Sequence, residues 1–330
     1  MHSNPSTRTR AYTSTLNRLG WGLVIFFVSF YIFNIGSTLL IQTVESMGNP
    51  VISALVEGVC SPICYMLPFF LGGIFFYAIS TKKDTQCILF EVKLPPTFPL
   101  LIIAGFGIIT AAAYVNNLLC GIIGYSLPDE LFQETYDNPY TVIAYMATAL
   151  APAFAEEYLF RGVIYGNLRP FGRTQAILIS AAMFALMHQN IGQIVYTFAA
   201  GIVMALMYEL TGSIWCGVLY HMLNNQISVI LQVLYYGTFG ESIEPLLVMW
   251  DILNVVMGIG AILVLVFYYK RQKDFSPRTP SNGGFRLLCG REALPTHAIA
   301  KGLTTPGILV FSIASILSMM LTYLIYAFLL

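Results

Sequence analysis

Nine predominantly apolar runs follow one another along this chain, over about 19–44, 56–80, 98–125, 140–160, 174–188, 191–210, 214–236, 245–269 and 303–329. A helix that crosses a bilayer needs about 20 mainly apolar residues. In hydrocarbon, every backbone polar group must also be satisfied within the protein, which leaves helices and closed barrels. Runs of this length and spacing predict an all-α, polytopic transmembrane bundle of about eight core helices plus a C-terminal accessory span. Composition agrees, since 57% of the 330 residues are hydrophobic and only 10% are charged, against about 25% charged in a soluble domain. The fifth run is short and reaches the sixth through only a few residues, so this pair is expected to form a helical hairpin.

The basic residues set an orientation, because they favour cytoplasmic loops. With the N-terminus inside, the inner segments hold Arg8, Arg10 and Arg18; Lys82, Lys83 and Lys93; Arg161, Arg169 and Arg173; and Lys270, Arg271, Lys273, Arg278, Arg286, Arg291 and Lys301. These are all 16 Lys and Arg of the chain. The outer segments hold acids instead: Glu45, Asp129, Glu130, Glu134, Asp137, Glu241 and Glu244. The expected layout is a cytoplasmic N-terminal segment at 1–18, a membrane domain at 19–270, a basic cytoplasmic linker at 271–302 and a last span at 303–330, with the C-terminus outside. Pro277, Pro280, Asn282, Gly283 and Gly284 make the linker a mobile segment beside anionic headgroups. The first run is longer than a secretory h-region and no small-residue cleavage site follows it, so it reads as a retained span.

Several classes are disfavoured. A net charge of zero gives no electrostatic case for nucleic acid. The six cysteines form no CxxC pair, so neither a zinc knuckle nor a disulfide framework is indicated. Cys60 and Cys64 share a helix face and read as small buried side chains. No internal repeat is visible, which weakens a transporter built from duplicated halves.

A charge in the hydrocarbon core costs at least ~2.5–3.5 kcal/mol on the insertion scale, so ionisable groups there point to function. Glu156, Glu157 and Arg161 occupy the fourth run, His188 ends the fifth, and His221 and Asn225 lie in the seventh. Glu157 and Arg161 are four apart and share a face, as an ordinary helix-fixing ion pair would. Glu156 lies about 100° round the helix and needs another partner. His221 and Asn225 share one face, as do Phe184 and His188. Each histidine alone could be an interhelical hydrogen-bond donor. Together with the asparagine and the glutamate they suggest a site. Asp251 and Glu57 lie near the outer interface, where an ordinary solvated role suffices. Asn116, Asn117 and Asn190 read as helix-packing groups.

Peptide hydrolysis needs a water, a base to activate it and donors for the oxyanion. A glutamate in a low-dielectric site suits acid–base work near neutral pH. Histidine can share its water, and a second histidine with an asparagine amide can donate to an oxyanion. Glu156, His188 and His221 could alternatively bind zinc and leave one position open for water. The residues alone leave both open. The HExxH zinc helix is absent, and neither an aspartyl dyad nor a serine–histidine pair of the intramembrane type is found.

Three motifs stand in order. Glu156-Glu157-Tyr158-Leu159-Phe160-Arg161 fits EExxxR, Phe184-Ala185-Leu186-Met187-His188 fits FxxxH, and His221-Met222-Leu223-Asn224-Asn225 fits HxxxN. This set resembles the CAAX-protease and bacteriocin-processing family, with its type II CAAX prenyl endopeptidases, over about residues 140–230. The resemblance implies a membrane endopeptidase whose cavity opens to the cytoplasm. Glu156 would activate water with His188 assisting, His221 and Asn225 would hold the oxyanion, and Glu157, Arg161 and Phe184 would support them. It implies a membrane-associated substrate, prenylated or of bacteriocin type, a place in a bacterial plasma membrane, and either zinc or no metal. A catalytically idle immunity or scaffold protein is the main alternative, with a transporter behind it. One tension remains in straight-helix counting: His221 lies about 7 residues from the inner end of its run, or ~10 Å, and His188 about 14, or ~21 Å, while Glu156 lies near the inner end of its own. A strong tilt or a short fifth–sixth hairpin is expected to reconcile them.

Overall fold

The computed structural model describes residues 5–81, 85, 86, 88–92, 94–125, 149, 150, 152–271 and 294–329. The acidic stretch with Asp129, Glu130, Glu134 and Asp137, the first part of the fourth run, Lys82, Lys83, Lys93, and the linker from Lys273 to Arg291 lie outside the described residues.

Among the described residues there is no strand. The helices are α1 (Pro5–Glu45), α2 (Pro50–Ala78), α3 (Phe98–Ile123), α4 (152–168), α5 (Arg173–Met187), α6 (Ile194–Thr211), α7 (Ile214–Gln232, continued by a π-helical stretch to Phe239), α8 (Glu244–Arg271), α9 (Thr296–Leu303) and α10 (Pro306–Leu329). Of these, α1, α2, α3, α6, α8 and α10 are long and apolar enough to cross a membrane by length and composition, and α5 is a shorter apolar helix. This is an all-α polytopic bundle. Local signals fix several ends. Asn49 caps α2 by accepting from the Val51 and Ile52 N–H groups, with Pro50 at the first position, and Gly124 and Gly212 take left-handed conformations after α3 and α6.

Small residues set the helix contacts, as they do where lipid removes the hydrophobic drive for helices to associate. A Cβ on Gly22 would stand 2.8 Å from the Gly72 carbonyl oxygen, where α1 crosses α2. One on Gly107 would stand 2.6 Å from Gly258 Cα, where α3 crosses α8, and one on Gly20 would stand 2.3 Å from backbone atoms of Gly307, where α1 crosses α10. The α5–α6 pair closes in the same way, with Gly201 against Ala181. These contacts surround α4 with α2, α5, α6 and α7.

The structure sets three boundaries that the apolar runs left open. Helix α1 starts at Pro5, so the segment before residue 19 is helical, and its Tyr12 and Leu16 are buried against Gly302 of α9. The end of the expected mobile linker is therefore an ordered, packed helix. The fourth helix runs on to Leu168 rather than stopping near 160, and Arg161 is a buried mid-helix residue rather than the edge of a loop. Basic character suggested an inner edge there, but the pair with Glu157 that the spacing allowed keeps Arg161 inside the helix. The fifth helix is short as expected. Its 15 residues span about 22 Å, less than the ~30 Å hydrocarbon core.

Candidate active site

Helix α4 is the centre. Residues Tyr158–Tyr165 form a π-helical stretch, a rare arrangement that concentrates at functional sites. Every residue from Leu159 to Leu168 is buried. The Phe160 carbonyl accepts from Ser180 Oγ of α5 at 2.8 Å. Within this stretch the Arg161 and Glu157 side chains are wholly buried, with Nη1 donating to Glu157 Oε1 at 2.7 Å. Arg161 Nη2 also donates to the Gly201 carbonyl of α6 at 3.2 Å, and the guanidinium lies 4.4 Å from the centre of the Phe184 ring on α5. The pair thus ties three helices together through charge, a backbone acceptor and a cation–π contact. Helix α7 accommodates the carboxylate with Gly217, whose Cβ would stand 2.7 Å from Glu157 Oε2.

Glu156 is separately held. Its side chain is almost wholly buried, and Oε1 accepts from the Tyr65 hydroxyl of α2 at 2.6 Å. Oε2 has no hydrogen-bond partner and lies 3.8 Å from His221 Nε2. The other ring nitrogen of His221, Nδ1, lies 3.5 Å from Glu157 Oε1. The imidazole is thus set between the two carboxylates without a direct hydrogen bond to either. His188 closes α5. Its Nδ1 lies 2.8 Å from the Phe184 carbonyl oxygen, which can only accept, so Nδ1 carries the hydrogen and Nε2 of the neutral ring keeps a lone pair. The Phe184 ring makes T-shaped contacts with both histidines, 4.8 Å from His188 and 6.0 Å from His221 between centres. Asn225 Nδ2 donates one hydrogen to the Ala149 carbonyl at 3.1 Å.

These groups meet at one cavity. Glu156, His188, His221 and Asn225 all line a space of about 440 Å³, together with Tyr65 and Tyr196. A second space of about 580 Å³ is bounded by His188, His221, Asn225 and Tyr196 as well, and continues to Asn254 and Asp251 of α8. The depth tension resolves in two parts. The hairpin is short, and its turn is anchored inside the bundle, where Asn116 of α3 donates to Gly192 O at 2.6 Å and accepts from Val195 N at 3.0 Å. In addition α4 runs on to Leu168, past the end of its apolar run, so Glu156 lies far from that end.

Residues 138–227 match the Rce1-like family of type II CAAX prenyl endopeptidases. The Rce1-like segment contains Glu156, Glu157, Arg161, Phe184, His188, His221 and Asn225, and it comprises α4 to most of α7. Set in a bundle with six candidate membrane spans, it is the part of the chain that is similar to CAAX-type intramembrane proteases. No curated protein and no solved structure matches the chain.

Two residues around the Rce1-like segment escaped the sequence reading. Tyr65 passed as one of many membrane tyrosines, although it stands between the intrahelical Pro62 and Pro68, and it is the partner that Glu156 lacked. Glu209 in α6 is 1% exposed and accepts from Tyr165 Oη at 2.6 Å and Arg169 Nε at 2.5 Å, with Arg173 Nε 3.3 Å away. As a carboxylate inside an apolar run it was visible. Asn116 holds the packing role expected of it, while Asn190 caps the α5–α6 turn by accepting from Gly192 N at 2.8 Å. Asp251 accepts from Tyr114 at the second cavity at 3.0 Å. Cys216 is buried, but Cys60 and Cys64 are only partly so, and none of the four described cysteines is in a disulfide. Among the described residues, no group of three or more His, Cys, Asp or Glu side chains stands together so as to hold a metal ion.

Proposed function

We propose that this chain is an intramembrane endopeptidase in which Glu156 activates the hydrolytic water. The observation that carries the reading is the shared lining of one cavity by a buried carboxylate, two imidazoles and an amide drawn from three helices. Tyr65 occupies Oε1 of Glu156 and leaves Oε2 as the free acceptor. The 3.8 Å gap to His221 Nε2 is too long for a direct hydrogen bond and short enough for one water to touch both groups. Glu156 takes the proton of that water as its oxygen attacks the scissile carbonyl, and returns a proton to the leaving amine. His188, with its Nε2 lone pair, assists as an acceptor. His221 and the second Asn225 N–H donate to the oxyanion, a contribution of a few kcal/mol in comparable sites. The substrate is a membrane-associated peptide of the CAAX class, prenylated or otherwise processed at a membrane, such as a bacteriocin precursor.

The deciding experiment is hydrolysis of fluorogenic peptides, with and without a prenyl group, by the purified protein in detergent. Glu156→Gln should abolish turnover with its unfolding temperature retained. Full activity in that variant would overturn the reading and favour an idle immunity or scaffold role.

A further inference from the structure

The structure also bears on the side from which the site is reached. We propose that the catalytic cavity is served from the membrane face opposite the basic one, so that the scissile segment of the substrate approaches Glu156 from the non-cytoplasmic side. This rests on the protease reading above and adds a sidedness to it. It also departs from the cytoplasmic opening that the sequence resemblance implied.

The bundle has two chemically distinct ends. Arg8, Arg10 and Arg18 of α1, Arg169 and Arg173 before and at the start of α5, Lys270 and Arg271 at the end of α8, and Lys301 of α9 lie at one of them. Among the described residues these are all the Lys and Arg except the buried Arg161. That end is a closed assembly, with Arg8 donating to the Phe171 carbonyl at 3.2 Å and Gln175 to the Leu294 carbonyl at 3.1 Å. The other end carries Glu45 at the end of α1, and Glu241 and Glu244 at the start of α8, with no described Lys or Arg. The excess of basic residues marks the first end as cytoplasmic.

The cavity leads away from that end. Its wall on α1 is Asn34, Ser37, Thr38 and Ile41, a spacing that places all four on one helix face and reaches to within four residues of Glu45. Gln193, at the turn into α6, lines it too. Three polar side chains, Asn34, Ser37 and Thr38, gathered on one face of a spanning helix are costly against lipid. They are accounted for if that face is wet. In the opposite direction the described residues close the path. Ten consecutive buried residues of α4, Leu159 to Leu168, follow the catalytic glutamates. Beyond them, Glu209 with Tyr165, Arg169 and Arg173 closes the basic end.

The test uses the full chain with its native cysteines replaced and single cysteines added by Thr38→Cys in the cavity mouth and Lys301→Cys at the basic end. A membrane-impermeant maleimide is applied to intact cells and to inverted vesicles. The expected result is that the Thr38→Cys protein labels in intact cells, and the Lys301→Cys protein only in inverted vesicles. Labelling of the Thr38→Cys protein only in inverted vesicles overturns the inference, as does labelling of both proteins from one side. The same proteins are assayed in detergent, where both faces are open. Glu156-dependent cleavage there, combined with the reversed labelling pattern, removes the sidedness and leaves the protease reading. The expected labelling with no cleavage of any peptide removes the protease reading instead.

Discussion

Tyr65 of α2 donates its hydroxyl hydrogen to Oε1 of Glu156 on α4 across 2.6 Å, and so leaves Oε2 as the one oxygen of that buried carboxylate without a partner. A carboxylate with both oxygens bonded is a poor base, and one with neither is costly to bury. The tyrosine holds Glu156 between these extremes and fixes its rotamer.

Tyr65→Phe should therefore keep the fold and lower kcat. Loss of a hydrogen bond to a buried charged group costs roughly 1.5–3 kcal/mol, so a fall of about 10- to 100-fold is expected with KM little changed. Steady-state kinetics in detergent checks this. An unchanged kcat would show that the hydroxyl has no role in aiming the carboxylate.

The Glu157–Arg161 pair should behave as a unit. Both side chains are wholly buried, and breaking such a pair from one side costs about 3–5 kcal/mol. Arg161→Met should lower the unfolding temperature markedly, while Glu157→Gln combined with Arg161→Met should recover part of the loss. Arg161→Lys should not rescue, because an ammonium has no planar fork with which to bond Glu157 and the Gly201 carbonyl while stacking on Phe184. A double-mutant cycle by thermal unfolding measures the coupling. Additive effects would contradict it.

Two glycines should respond in opposite directions to alanine. Gly217→Ala puts a methyl 2.7 Å from Glu157 Oε2, an overpacking expected to cost about 1–3 kcal/mol and to reduce turnover by displacing the carboxylate beside His221. Gly260 of α8 meets nothing within 4 Å, so Gly260→Ala should be neutral or stabilising by up to about 1 kcal/mol. Unfolding temperatures and kcat of the two variants provide the comparison.

Peptide hydrolysis should persist after treatment with 1,10-phenanthroline or EDTA, since the described donors do not converge on a metal position. Zinc analysis of the purified active protein should give far less than one metal per chain. Stoichiometric zinc whose removal abolishes turnover would reverse this expectation.

Much of the molecule was legible in the chain. Each of the nine apolar runs contains a helix, because hydrocarbon leaves a spanning segment almost no other way to satisfy its backbone. The candidate site residues were legible for the same reason, since Glu156, Glu157, His188 and His221 are costly in lipid and stand out against it. Helix ends were less so. Arg161 looked like a boundary because the spacing that pairs it with Glu157 does not record that the pair is buried. Tyr65 was lost among 20 tyrosines, and its distinction is only its distance from Glu156.

The sequence by itself determined that the chain is a multi-pass membrane protein and which polar groups need a reason to be there. Those conclusions follow from transfer free energies, which are properties of each segment alone. Only the tertiary structure decided that groups from α2, α4, α5 and α7 share one cavity and that Glu156 keeps one oxygen free. Those are distances between helices, and they depend on where glycines such as Gly22, Gly107 and Gly201 let the helices touch, which no segment specifies without its neighbours.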